Sequence, residues 1–306
     1  MGLVASTAFQ HNPAVQPRAF VTLGCLAREE VDDDLLYQIL VALRGALSMF
    51  AENDCSLIIS IVMCLTNIVE KLPADCRYLQ SLFWLAMALV QISHIPVFPS
   101  AINLLNVVLK ALDVNGFFAN EDIATILLKA RVPLESIAVK MDREAGVNYE
   151  HFSFAVSAML LKGLKNPVTK TGTKDVLNAF LDIASKSVIG DQPNSTINSR
   201  MLGYLAALLP VSAKNADMKE LLWVCGIVDS EVDNSELGTT YYKIFEKLDI
   251  PDNKTALLLI SLMVAMLQNA EHEPERLFLY GFLAEAASHL PQVFALVYPF
   301  FFPFFF

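Results

Sequence analysis

Blocks of roughly 12–20 mostly apolar residues recur along the whole chain, each cut from the next by a short polar, Pro or Gly stretch. Several, such as residues 57–65 (LIISIVMCL), are apolar nearly all round. A helix of that kind needs neighbours on at least two sides, because no face of it is suited to water. Leu, Ala, Ile and Met dominate the blocks, which favours helix over strand. In residues 35–47 the apolar positions Leu35, Leu36, Ile39, Leu40, Leu43 and Leu47 recur at helical spacing. No stretch shows the alternation of a half-buried strand. The expected fold is therefore all-α, a HEAT/armadillo-like solenoid in which stacked helical hairpins cover one another. No strict repeat is visible, which suits units with degenerate signatures.

The punctuation predicts element boundaries. Asp32, Asp33 and Asp34 precede a helix over 35–50, and Asp54 precedes one over 55–72; their carboxylates can cap free N–H groups and oppose the helix dipole. Pro73 breaks the chain, and a helix over 77–92 follows. Pro96 and Pro99 lead into 101–112, Asn120 into 121–130, and Pro133 into a further helix. Residues 151–163 form the next helix, Asn166 and Pro167 a turn, and 174–187 another helix. Pro210 ends a helix over 196–209; 217–228 is helical and 229–238 is loop. Residues 252–270 and 275–290 form a closing antiparallel pair. One solenoid is expected over 1–297, with a subdivision point near 188–196. The tail 298–306 (YPFFFPFFF) puts six Phe in a piece too short to bury them, and is read as a truncated or mis-joined end.

Composition narrows the function classes. Apolar residues make up 55% and charged residues 18%, so disorder is not expected. A net charge of −10 and a pI near 5.0 leave no basic face for nucleic acid. Mean hydropathy is +0.47, so membrane spans need checking. The most apolar stretch, 82–98, is interrupted by Gln91, Ser93, His94 and Pro96, and 256–267 is too short to cross a bilayer. Cys25, Cys55, Cys64, Cys76 and Cys225 have no C-x-x-C spacing and read as buried, reduced thiols.

Local chemical signatures are missing. The sequence has no phosphate-binding glycine loop and no nucleophile elbow, and its five His are scattered with no zinc spacing. No catalytic, metal-binding or cofactor-binding residue is assigned, and no cofactor is expected. His289 lies four residues after Glu285, hydrogen-bonding distance on one helical face. Phe83 and Trp84 are expected in the core. One surface feature stands out. Lys162, Lys165, Lys170 and Lys174 fall in an acid-free stretch around the Asn166–Pro167 turn, a candidate contact for an acidic partner or a lipid head group.

Five blocks carry a family resemblance: 12–25 (NPAVQPRAFVTLGC), 82–91 (LFWLAMALVQ), 160–167 (LLKGLKNP), 204–212 (YLAALLPVS) and 279–297 (LYGFLAEAASHLPQVFALV). In wording and order they resemble neurofibromin and its fungal Ras-inhibitory relatives, in the helical-repeat region beyond the catalytic module. The resemblance implies a non-catalytic platform that self-associates or docks protein partners. It meets Ras only through the rest of a longer protein, and is cytoplasmic with peripheral recruitment to membranes. Acceleration of GTP hydrolysis needs an arginine finger; nothing here resembles that domain, and Arg18 is simply part of the first block. The alternative is a stand-alone helical-repeat adaptor unrelated to Ras.

Overall fold

The computed structural model describes residues 2–10, 12–27, 31–50, 54–92, 94–131, 147–188, 197, 199–213, 221–222 and 244–301. Thirteen α-helices lie among them: α1 Gly2–Phe9, α2 Gln16–Leu26, α3 Asp33–Ser48, α4 Ser56–Val69, α5 Leu79–Gln91, α6 Phe98–Val114, α7 Ile123–Arg131, α8 Phe152–Lys165, α9 Pro167–Val188, α10 Ser199–Ser212, α11 Asn253–Leu267, α12 Glu273–His289 and α13 Pro291–Phe301. The described residues contain no strand; Ile197 and Leu248 form an isolated parallel bridge. The expectation of an all-α chain holds.

The helices pack in chain order. A central row runs α2, α4, α6, α9, α10, α11, each against the next. The others flank it: α1 on α2, α3 on α4, α5 on α6, α7 on α5, α8 on α9 and α10, α12 on α10 and α11, and α13 on α11. The apolar-all-round blocks supply the row. In α4, Ile58, Ile61, Val62, Cys64, Leu65, Ile68 and Val69 are all buried, with α2, α3 and α6 as neighbours. In α10 every residue from Met201 to Ser212 is buried. Close approach needs small residues at two crossings. A Cβ on Gly24 would lie 2.8 Å from the Cys64 Cα, and one on Gly203 would lie 2.4 Å from backbone atoms of Ser153 and Phe154. At the second crossing Ser157 Oγ donates to the Gly203 carbonyl (2.9 Å), and the Gly203 N–H reaches Ser153 Oγ (3.2 Å). An aromatic chain crosses the middle: Phe152–Trp84–Phe83–Phe180 meet edge-to-face, and Phe180 stacks on Tyr204 at 5.0 Å. Phe83 and Trp84 are thus core residues, as expected.

Two boundaries follow the caps read from sequence: Asp32 accepts from the Leu35 N–H (2.7 Å) and Asp54 from Ser56 (2.9 Å). Asp252, read only as the start of a helix, caps it by accepting from the Thr255 N–H (2.7 Å). Others need correction. Asp122, not Asn120, caps α7, accepting from Ala124 and Thr125. Pro167 opens α9 rather than making a turn, so that helix begins seven residues before Lys174; proline at the first helical position loses no intrahelical bond. Pro210 does not end α10, which runs through it to Ser212. Among the described residues the helical stretch long and apolar enough to cross a membrane is Ile95–Val114, not 82–98, and about half of it is buried inside the fold. The segment 82–98 is broken at Ile92, between α5 and the 3-10 turn Ile95–Val97. Cys64 and Cys76 are buried, while Cys25 is exposed and Cys55 partly so. The helix expected after Pro133, the helix and loop expected over 217–238 (Leu221 and Leu222 apart), the division near 188–196 (Val188 apart), Cys225 and residues 302–306 lie outside the described residues; 298–301 continue α13.

Candidate interaction surfaces

Four lysines were marked by the sequence, and the structure gathers three of them around the α8–α9 junction. Lys162 is half-buried on α8. Its ammonium donates to the Ile92 carbonyl (3.1 Å) and lies 5.0 Å from the centre of the Phe98 ring, and burial holds its pKa below the usual lysine value. Lys170, on α9, pairs with Glu275 of α12 at 2.6 Å, both side chains being mostly covered. Lys165 is exposed and, with Glu275 and Pro210, lines a small cavity of about 30 Å³. Lys174 stands one turn along α9 from Lys170. Lys162 and Lys170 therefore tie helices together: α8 to the end of α5, and α9 to α12.

A polar knot sits at the start of α7. Asp122 accepts from the Thr125 hydroxyl (2.6 Å) and the Tyr149 hydroxyl (2.9 Å), and Arg200 of α10 approaches it at 3.9 Å while lying over the Tyr149 ring. Burial alone would raise the Asp122 pKa; the Thr125, Tyr149 and Arg200 contacts outweigh it and hold the carboxyl below its ordinary value. His289 Nδ1 lies 3.0 Å from the Glu285 carbonyl oxygen, so the pair read from spacing is joined through the backbone, and the imidazole packs beside Phe245. Among the described residues no group of three or more His, Cys, Asp or Glu is placed to hold a metal ion.

One concavity among the described residues was not foreseen. It lies between α3 and α5, has a volume of about 570 Å³, and reaches the end of α7. It arises because α3 leans on α4 while α5 leans on α6, which leaves a gap between two helices running the same way. Both ends are tied. At one, Arg77 pairs with Asp33 (3.1 Å) and the Cys76 thiol reaches Asp33 (3.4 Å); at the other, Phe50 meets the His94 ring edge-to-face. One wall carries Tyr37, Leu40, Val41, Arg44 and Leu47, the other Tyr78, Ser81, Leu85 and Ala88. The floor includes Trp84, whose indole N–H donates to the Leu127 carbonyl (2.7 Å) and whose ring lies under the Arg131 guanidinium. The sequence did carry a signal for this wall. Tyr37, Val41 and Arg44 repeat at i, i+4, i+7 on the side of α3 opposite its buried stripe of Leu36, Ile39 and Leu43. The helical spacing read from sequence, through Leu35, Leu36, Ile39, Leu40, Leu43 and Leu47, left Tyr37, Val41 and Arg44 out.

These interhelical ties and grooves place the chain among helical packing domains. The sequence profile of the cell morphogenesis C-terminal family matches residues 80–235, just over half of the chain, and the chain belongs to that family. Two curated relatives from Saccharomyces cerevisiae are similar to it. Inhibitory regulator protein IRA2 is 23% identical over 261 residues, covering 83% of this chain and 8% of the relative. Inhibitory regulator protein IRA1 is 25% identical over 234 residues, covering 73% of this chain and 7% of the relative. The chain thus spans less than a tenth of the length of either, and the resemblance to fungal inhibitory regulators drawn from the sequence blocks holds.

Proposed function

We propose that this chain is a non-catalytic, HEAT/armadillo-like helical-repeat scaffold within a neurofibromin-like regulator that restrains Ras signalling. It acts in the cytoplasm, at membranes when recruited there, through self-association or by docking protein partners. The observation that carries this reading is the order of packing: each helix of the central row meets its sequence neighbour in the row, with flanking helices added in turn. That is the contact pattern of stacked units, which build long surfaces from short pieces. The similarity to two inhibitory regulators supports the pathway. The role is geometric: a stiff row of helices fixes the distance and orientation of whatever is bound to it.

The test is to delete the coding segment for residues 12–213 from the native gene and measure GTP-loaded Ras in cells. A rise in GTP-loaded Ras, with no loss of stability in the rest of the protein, is the expected result. Unchanged GTP-loaded Ras in the deletion strain would assign the scaffold to another pathway.

A further inference from the structure

We propose that the seam between α8 and α11 binds a long-chain carboxylate, with the chain between the two helices and the carboxyl group on His151. Both helices lean on α10, and a cavity of about 360 Å³ lies between them. Phe154, Ala158 and Leu161 line it from α8, and Leu258, Leu262 and Ala265 from α11. Each set repeats at spacings of three or four residues, so each is one face of its helix. His151 and Asp252, which precede the two helices, lie within electrostatic reach of each other, so both helices start at one end of the cavity. From there to Leu161 the seam runs ~15 Å, about the length of a twelve-carbon chain. Leu161 and Ala265 also line the small cavity beside Lys165, so the space is elongated along the seam.

The starting end is polar. His151 is only 6% exposed and lines the cavity, and among the described residues its Nδ1 is buried with no hydrogen-bond partner. A buried ring nitrogen left unpaired is a cost that a ligand removes by bonding to it. Nε2 faces the exposed Glu150 carboxylate at 3.9 Å, so Nδ1 is the nitrogen that a ligand meets. Asn148 and Lys254, the second residue of α11, line the same end. Asn148 Oδ1 already accepts from the His151 backbone N–H (2.9 Å), which leaves its amide N–H groups as donors. An ammonium and an amide donor select a head group that accepts hydrogen bonds and carries negative charge. A carboxyl group also suits His151 in either state: as carboxylate it accepts from an Nδ1–H, and as the acid it donates to a bare Nδ1. A hydroxyl head matches His151 but gains nothing from the Lys254 charge.

The test is calorimetric titration of the whole chain with dodecanoate below its micelle concentration. Saturable one-to-one binding is expected. Dodecanol, which has the same chain without the carboxyl group, should bind at least about tenfold more weakly. Ala158→Trp fills the seam from an exposed position, so it should fold like the parent and lose binding. Lys254→Glu, also at an exposed position, should weaken dodecanoate about fivefold and leave dodecanol unchanged. His151→Phe keeps the bulk of the ring and removes Nδ1, so dodecanoate should fall to the level of dodecanol. The assignment is overturned if dodecanoate gives no saturable binding, or if dodecanol binds as tightly. It is also overturned if Ala158→Trp binds like the parent, because the fatty acid would then sit elsewhere. Should His151→Phe fail to fold, Lys254→Glu decides the head group: equal losses for dodecanoate and dodecanol, or no loss for either, would remove the carboxyl group from this end.

Discussion

Gly203→Ala pits two effects of opposite sign against each other. Alanine in a helix is better than glycine by roughly 1 kcal/mol, so propensity alone predicts a more stable protein. Packing predicts the reverse. The added Cβ would sit 2.4 Å from the backbone of Ser153 and Phe154, where ordinary contact begins near 3.4 Å, so α8 and α10 must separate by ~1 Å. Backbone cannot swing aside as a side-chain tip can. Such overpacking costs about 1–3 kcal/mol. The same movement lengthens the bonds from Ser157 Oγ to the Gly203 carbonyl and from the Gly203 N–H to Ser153 Oγ, each worth about 1 kcal/mol. Packing therefore wins, and the net loss should be about 2–4 kcal/mol, read as a lower urea midpoint by circular dichroism at 222 nm. Gly45→Ala in α3 is the control: nothing lies within 4 Å of its new Cβ, so it should stabilise by up to about 1 kcal/mol. If Gly203→Ala matched or exceeded the parent in stability, the close crossing of α8 and α10 would be wrong.

Leu205 is fully buried in α10, and Leu205→Asp should cost about 4 kcal/mol or more, because it opens a cavity and buries an unpaired charge; an unchanged melting curve would refute the burial. Asp122→Asn should destabilise by about 1–3 kcal/mol at neutral pH by weakening the Thr125, Tyr149 and Arg200 contacts. Since the folded Asp122 pKa lies below 3.8, its contribution is full above that value and fades as pH falls through the folded pKa, so the melting difference should narrow in acid and not in base. Trp84→Phe removes the indole bond to the Leu127 carbonyl and should lower stability by about 1–3 kcal/mol without loss of helix content. Burial pushes the Cys64 thiol up to about 12, so in a timed alkylation read by mass spectrometry the exposed Cys25 should react well before Cys64; equal rates would contradict the packing of α4.

What sequence could tell was what is local. The caps at Asp32 and Asp54 were legible because an acceptor three residues or fewer from its N–H is a property of a short string. The prolines were legible only in part. Pro73 does break the chain, but Pro210 lies in the last turn of a helix whose neighbours hold it on every side, and tertiary packing overrides the local penalty. Pro167 was misread because the Asn166–Pro167 pair looks like a turn, whereas the Thr169 hydroxyl donates back to the Gly163 carbonyl and stitches α9 to α8. The fate of the lysines was not readable at all. Lys162 meets Ile92 across 70 positions and Lys170 meets Glu275 across 105, and no window along one sequence spans such distances. The groove was hidden for a related reason. Its stripe is visible on α3, but only the lean of α3 and α5 onto different partners shows that nothing described covers it.

The burial of α10 has a consequence for how the protein is made. α8 and α9 precede it in the chain and pack against it, but α11 and α12, which also pack against it, begin only at Asn253, with residues 213–252 intervening. At a ribosomal pace of about 5–20 residues per second, that leaves α10 waiting for roughly 2–8 s with Leu and Met side chains open to water and to other nascent chains. Synthesis thus passes through an interval in which a helix buried from Met201 to Ser212 in the finished molecule is exposed and sticky. A chaperone that shields apolar segments during those seconds would raise the yield of folded chain far more than one acting after release.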